Sequence, residues 1–417
     1  MHDRYQLSFT QVDHLAALTG WDSSSDWDTR LQSSSAACAS LVDASLIGKF
    51  GPEIGRQIID ICTLLREVFT DKDKYVKFLD HKRDGETAKD LLDVLQKLLD
   101  YAPLDPQFRP LLYVALVRLC RKSELCPRSF TLRGVTNREK EALSPGQFGD
   151  VYAAYYKNSI VCVKGVKVYR QRDSLADFSR RKDSVKKAFT REAVVWSQLR
   201  HKNVLPFYGT WDPEDQFYLV SPFIRNGDVN QYLTDKPKTN RTHLCANVLV
   251  AEPEQALLTD FGFSYVTDDA GLNTGDFLLS SRHAMGGTRP FEAPERVIDP
   301  KMRRNGASDV FAFGMLCLEM FALDGYYIQS VHDGIIHRSK LPERPIQFLS
   351  LGLNDNMWKV MKESWSPGPR DRPTATEIVR KLPTSSQKDI SYNPKIRDFK
   401  LSDAASFTKA LDHLRAL

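Results

Sequence analysis

The chain has 417 residues, with 58 Lys and Arg against 53 Asp and Glu and a formal charge of +5. That length has room for two or three domains, and the near balance of charge excludes a strongly basic nucleic-acid binder. The seven cysteines (Cys38, Cys62, Cys120, Cys126, Cys162, Cys245 and Cys317) are odd in number and have no paired spacing or adjoining His pair. Reduced intracellular thiols are therefore expected rather than a zinc site or a disulfide framework.

The opening residues "MHDRYQLSFTQVDHLAAL" lack a basic-then-apolar signal pattern, and residues 1–35 are rich in Ser and Asp and read as loosely ordered. A helical module is expected over 36–123. In "PEIGRQIIDICTLLREVF", Ile54, Ile58, Ile61, Leu65 and Val68 recur at steps of three or four. In "ETAKDLLDVLQKLLDY", Ala88, Leu91, Leu95, Leu98 and Leu99 do the same. "DPQFRPLLYVALVRLC" predicts a third helix, with Asp105 as cap and Pro106 in its first position. Three apolar stripes can bury one another as an antiparallel bundle. No polar constellation stands out on these faces, so the module reads as structural and as a binding unit for protein partners.

Residues 124–135 read as a linker. Beyond it the period changes to two. "FGDVYAAYYKNSIVCVKGVKVY" alternates as strands around the "YKNS" turn, a long helix is predicted in "SVKKAFTREAVVWSQLR", and "LPFYGTWDPEDQFYLVSPF" adds two strands. Strands around one helix make a small α+β lobe. The basic stretch "RQRDSLADFSRRKDSVKK" also holds three Asp and reads as a solvated loop and helix start. "NVLV" and "ALLTDFG" predict two short strands, and past Gly306 the pattern is helical in "ASDVFAFGMLCLEMFAL", "NDNMWKVMKESW" and "TATEIVRKL". Its longest apolar run, "VFAFGMLCL", is about half of what a membrane span needs. A soluble cytoplasmic or nuclear protein is expected. Residues 384–417 read as a tail ending in an amphipathic helix, with Ser402 as cap and Phe407, Ala410, Leu411, Leu414 and Leu417 on one face.

Candidate chemistry is scattered until its order is read. "SPGQFGDVY" is a Gly-containing turn whose backbone N–H groups can approach phosphate. Lys164 lies on the alternating strand "VCVK", and Glu192 lies on a helix whose Ala188, Val195 and Leu199 face a core. Asp260–Gly262 spell "DFG". With "REAVVWSQLRHKNVLPFYG", "NGDVNQYL", "NVLV", "GTRPFEAPE", "SDVFAFGMLCLEM" and "DRPTATEIVRKL", these segments follow one another as in the eukaryotic protein kinases. The chain over about 136–383 resembles that family, and through Trp358 and Trp365 its tyrosine-kinase and tyrosine-kinase-like branches, of which the resemblance favours the tyrosine-kinase-like, Ser/Thr one.

The resemblance implies an α+β, two-lobed kinase fold, with a small lobe over 136–225 and a helical lobe over 226–383. It implies ATP and Mg²⁺ as cofactors, protein substrates, and Ser/Thr as acceptor, because "GTRPF" replaces the Pro-rich stretch usual in tyrosine kinases. Gly146, Phe148 and Gly149 would cover the phosphates. Val151 and Cys162 would roof the adenine, with Leu249 beneath it. Lys164 would grip the phosphates and pair with Glu192. Ser221 would back the pocket, Phe223 would lie in the hinge, and Asn247 and Asp260 would hold the metal. Glu295 would pair with Arg372, and Val310–Ala322 would be a central buried helix. Thr274, Ser280 and Ser281 are possible phosphosites, although each reads equally well as a plain loop hydroxyl.

One part of the family pattern is absent. The catalytic Asp stands five residues before the metal-binding Asn, and here that position is Thr242. Leu244 stands where the family has Lys, Asn240 where it has His, and no carboxylate falls between Lys236 and Asn247. The positioned base for the substrate hydroxyl is missing. The long apolar helix that precedes this loop in the family is missing too. Losing four or five large apolar side chains removes about 6–15 kcal/mol of burial, comparable with the stability of a whole domain. Three readings follow: a kinase whose coding sequence has lost a segment, a nucleotide-binding pseudokinase scaffold, or a helical adaptor with a decayed C-terminal half.

Overall fold

The computed structural model of the chain describes residues 52–80, 85–102, 104, 108–145, 149–166, 175–213, 216–239, 241, 248–252, 255–261, 289–299, 302, 304–338, 340–382 and 404–417. Its first elements are the helices α1 (Pro52–Thr70), α2 (Lys72–Leu79), α3 (Gly85–Tyr101) and α4 (Phe108–Ser123). The apolar stripes named above pack inward, with Ile58, Ile61, Leu65, Val68, Ala88, Leu91, Leu95, Leu98 and Leu99 all buried. The sequence pattern missed α2. Its start is fixed by Asp71, whose carboxylate accepts hydrogen bonds from the N–H groups of Asp73 and Lys74. Asp105 and Pro106, the expected cap of the third helix, lie outside the described residues.

Two expectations about this module are corrected. First, its faces do carry buried polar groups. Asp90, Asp93, Gln96 and Lys97 of α3 are each less than 8% exposed. Arg128 bridges Glu86, Asp90 and Asp93 at 2.6, 2.7 and 2.9 Å. The physical reason is that α3 lies at the centre of the module, so positions polar in a two-sided stripe are covered by neighbours. Second, the C-terminal helix is not a separate tail. Helix α12 (Ala404–Arg415) packs on α1 and α3, burying Phe407, Ala410, Leu411 and Leu414.

Segment 124–135 is not a loose connector. Phe130 is fully buried, and residues 131–143 run along the sheet through Leu132 N–H to Thr210 O, Thr136 N–H to Tyr155 O and Glu139 N–H to Ala153 O. The sheet comprises β1 (Ser144–Pro145), β2 (Gly149–Tyr156), β3 (Ser159–Val166), β4 (Gly209–Trp211) and β5 (Tyr218–Pro222), all antiparallel, in the order β1-β2-β3-β5-β4. Between β2 and β3 the chain turns on Lys157 and Asn158, both at positive φ, as a two-residue hairpin requires. Helix α5 (Leu175–Gln198) lies between β3 and β4 in the chain and begins earlier than the periodicity indicates.

The second lobe contains α6 (Val229–Asp235), the hairpin β6 (Val248–Ala251) and β7 (Gln255–Leu258), α7 (Pro294–Ile298), α8 (Gly306–Ala322), α9 (Gly325–Arg338), α10 (Asp355–Ser364) and α11 (Ala375–Lys381). Helix α8 is the buried centre predicted for it, with Phe311, Met315, Leu318 and Phe321 in one core with Trp358, Met361 and Trp365. Gly314 permits the close approach of α10, since a Cβ there would lie 2.8 Å from Trp365 Nε1. Arg372 donates to both oxygens of Glu295, at 2.8 and 2.7 Å, as the sequence implied.

Candidate active site

Lys164 lies on β3, the central strand, opposite Val151 of β2 and Leu219 of β5. Cys162 is two residues away on the same face, with Ser221 across from it. The side chains of Val161, Val163 and Val220, on the alternate face, belong to an outer core closed by Leu132 and Val135. Strand alternation therefore separates a sealed outer face from an inner face bearing Lys164, Cys162, Val151 and Ser221. Val151, Cys162, Phe223 and Leu249 are partly open, whereas Gly149 and Ser221 are buried.

Helix α5 brings Glu192 to this face. Lys164 Nζ donates to Glu192 Oε1 at 3.0 Å and to Asp260 Oδ1 at 2.7 Å. The three side chains are only 15%, 8% and 24% exposed for Lys164, Glu192 and Asp260. Burial works against the Lys164 ammonium, but the two carboxylates more than offset it and raise its pKa. Burial also pushes the Glu192 carboxyl up, Asp260 adds to this, and Lys164 opposes it. Cys162 is pushed up to about 11 by burial, with the Ser221 hydroxyl hydrogen bond opposing that shift.

Asp260 sits two residues beyond β7 in the left-handed region, at φ 64°, a conformation that Asp tolerates better than most residues. Its position follows from how β7 is tied down. Leu205 N–H donates to Leu258 O and Leu258 N–H to Asn203 O, each at 2.8 Å. Asn203 Nδ2 donates to Ala256 O at 2.9 Å, and Gln255 Nε2 to Lys202 O at 2.6 Å. The loop after α5 thus carries β7, so Glu192 and Asp260 are set by one connected unit. A run of rings reinforces it: Phe261 against Trp196 at 5.8 Å, Trp196 against Phe207 at 5.5 Å, and Phe207 against Phe130 at 5.4 Å.

The sequence reading paired Lys164 with Glu192 but missed the direct Lys164–Asp260 contact, which spans two lobes and has no local signature. It also missed the ring run. Gly146, Phe148, Asn247 and Gly262 lie outside the described residues, as do Thr274, Ser280 and Ser281. Among the described residues, no group of three or more His, Cys, Asp or Glu gathers as a metal cluster. None of the described helices is long and apolar enough to cross a membrane.

The geometry agrees with what the chain is related to. A family profile, protein tyrosine and serine/threonine kinase, matches residues 138–246 and 241–382. These spans cover more than half of the 417 residues, and the chain belongs to the protein kinase family, which uses ATP and Mg²⁺ on protein substrates. The chain is 26% identical over 284 residues to the tyrosine-protein kinase transforming protein Abl of Abelson murine leukemia virus, covering 60% of this chain and 34% of that protein. It is 28% identical over 205 residues to mitogen-activated protein kinase kinase kinase 1a of Physcomitrium patens, covering 43% and 25%. It is 24% identical over 287 residues to the human tyrosine-protein kinase FRK, covering 60% and 51%. The chain thus spans about a quarter to a half of the length of these relatives.

Proposed function

We propose that this chain binds ATP with Mg²⁺ in the cleft between β3, α5 and Asp260, and that it supports little or no phosphotransfer, acting as a nucleotide-dependent signalling scaffold. The observation that carries the reading is the assembled Lys164–Glu192–Asp260 cluster in a chain whose sequence over 236–247 contains no carboxylate. The residues fit the cofactor. A charged ammonium and a partly open carboxylate lie next to one another, with the partly open side chains of Val151 and Cys162 on the same face of the sheet as Lys164.

In this reading Lys164 holds phosphate oxygens while Glu192 keeps the ammonium charged and aimed. Asp260, with Asn247, would take the metal, which would supply charge neutralisation on the phosphates. Val151, Cys162 and Leu249 would exclude water from the base, with Gly149 and the turn before it over the phosphates, and Ser221 and Phe223 at the back and hinge. In segment 236–247 the family's catalytic Asp, which accepts the proton of the substrate hydroxyl, is replaced by Thr242. A described residue of that segment, Arg241, has a structural task instead. It is buried and donates to the carbonyls of Met320 and Phe321, each at 2.8 Å, at the end of α8.

The test has two arms. A thermal-shift titration with ATP–Mg²⁺ should stabilise the chain, and transfer of labelled γ-phosphate to general protein acceptors should be at least tenfold below that of an ordinary kinase. No thermal shift from a folded chain refutes binding, and ordinary transfer refutes the loss of activity. A second reading is favoured by the family match arriving in two pieces that meet at 241–246: a longer message carries the helix and the base, and its product is a Ser/Thr kinase. Sequencing the transcript across the codons for Leu233–Asn247 decides between the two.

A further inference from the structure

The core of the helical module does not stop at the kinase domain. Ile61, Leu95, Leu112 and Phe407 belong to the same continuous buried cluster as Phe189, Ala193, Val194 and Trp196 of α5. Helix α4 packs directly on α5. Polar contacts grip α5 on both sides of Glu192. Before it, Lys187 Nζ lies 3.3 Å from Glu124, and the Thr190 hydroxyl hydrogen-bonds with the Cys126 thiol. After it, Gln198 Nε2 donates to Gln96 Oε1 at 3.0 Å, and Arg200, two residues past the end of α5, pairs with Asp100.

Helix α3 carries Gln96 and Asp100, and the same helix carries α12. Lys97 Nζ lies 5.3 Å above the Phe407 ring. His413 Nε2 is 3.4 Å from Asp90 Oδ2. On α1, Gln57 Nε2 donates to Thr408 Oγ1 at 3.2 Å. Helices α1 and α12 therefore meet on a module that also holds the helix bearing Glu192. Adjacent α3 residues Gln96 and Lys97 serve the two sides, about 100° apart around the helix.

We infer that α12 is a latch on the nucleotide cleft. Docked on α1 and α3, it completes the module core, and the completed module fixes α5 so that Glu192 stays against Lys164. Undocking loosens α5 and weakens nucleotide binding. Coupling of this kind is reciprocal, so a bound nucleotide must also tighten α12 on the module. The affinity arm rests on the nucleotide-binding reading above, whereas the helix arm stands without it.

The experiment uses the full chain and two variants, Phe407→Ala with Leu411→Ala, and the milder Leu414→Ala. Backbone hydrogen exchange is followed by mass spectrometry at residues 189–198 and 404–415, with affinity for a fluorescent ATP analogue plus Mg²⁺ measured in parallel. The latch predicts at least tenfold faster exchange at 189–198 in the double variant and a smaller change in Leu414→Ala. It also predicts at least threefold weaker analogue binding, restored by an added peptide of residues 401–417, and slower exchange at 404–415 when ATP–Mg²⁺ is added to the native chain. Faster exchange confined to α1 and α3, unchanged exchange everywhere, or failure of the peptide to restore 189–198 overturns it. If the native chain binds no analogue, the nucleotide reading fails, and exchange at 189–198 still decides whether α12 holds α5.

Discussion

Replacing Lys164 by Met is the most informative single perturbation of the site. Lys164 is shared by two carboxylates at 3.0 and 2.7 Å, with Glu192 nearly enclosed. Each contact is worth about 5–6 kcal/mol of attraction at an effective dielectric near 20, and the desolvation of the ammonium takes back a large part. Removing one side of a buried ion pair costs about 3–5 kcal/mol, because the partner is left buried and uncompensated. Met fills much the same volume, so the deficit reports charge rather than packing. The sign of its pH dependence follows from Glu192, whose carboxyl burial already raises. Without Lys164 it rises further. A carboxyl with a folded pKa above its unfolded value binds more protons folded than unfolded, so its stability contribution is complete below the unfolded pKa and is lost as pH rises through the folded one. The variant should therefore trail the native chain by about 3–5 kcal/mol near pH 7.5. That gap should narrow by at least about 1 kcal/mol near pH 5, roughly one pKa unit's worth. Urea unfolding followed by tryptophan fluorescence measures both. A deficit under about 1 kcal/mol, or one equal at the two pH values, refutes the view that Lys164 neutralises the buried Glu192 carboxylate.

Three further outcomes follow from the same structure. Arg241→Met leaves the carbonyls of Met320 and Phe321 without their donor in a buried place, and should lower stability by about 1–3 kcal/mol in urea unfolding while nucleotide affinity stays the same. Arg372→Met strands Glu295 and should cost about 3–5 kcal/mol at neutral pH. Burial pushes the Glu295 carboxyl up, but its Arg372 hydrogen bonds win and hold it below the usual range, so this stability is present above the unfolded pKa and fades as acid titrates Glu295. Melting curves of both proteins should accordingly converge toward low pH. Gly209→Ala would set a Cβ 2.3 Å from Phe130 O and 2.8 Å from Leu132 Cγ, and overpacking of about 1–3 kcal/mol should appear as a lower melting temperature.

Much of the architecture was legible because local pattern and tertiary role coincide. The stripe through Ile58, Ile61, Leu65 and Val68 and the alternation around Lys157–Asn158 each fix an element whose buried face is the one the pattern names. The cluster was half legible. Lys164 and Glu192 announce themselves by motif order, whereas the approach of Asp260 depends on hydrogen bonds between Asn203, Leu205 and Leu258, which join backbone groups and leave no trace in side-chain type. Least legible was the destination of α12. An amphipathic helix says that it will be covered, not by what. Likewise Asp90, Asp93, Gln96 and Lys97 read as the wet side of α3 until α12, Arg128 and α5 cover them. Long-range cover of a polar face is a property of topology, which no window of the chain contains.

The same backbone logic explains how the charged cluster is held. Lys164 and Glu192 depend on the sheet and α5. Asp260 depends on the β6–β7 hairpin, and among the described residues that hairpin is anchored twice. On one side it hangs from the loop after α5, and on the other Val250 N–H donates to Gly227 O at 3.0 Å, beside the bridge between Asp228 and Leu249. Asp228 is also the cap of α6, accepting from the N–H groups of Asn230 and Gln231, so α6 and β6 are pinned to one point. The core of the second lobe closes accordingly: Tyr232 and Leu233 stay buried with Phe311, Met315 and Phe321, and Arg241 seals the end of α8. The position of Asp260 beside Lys164 and Glu192 thus rests on backbone bonds from α5's following loop and from Gly227.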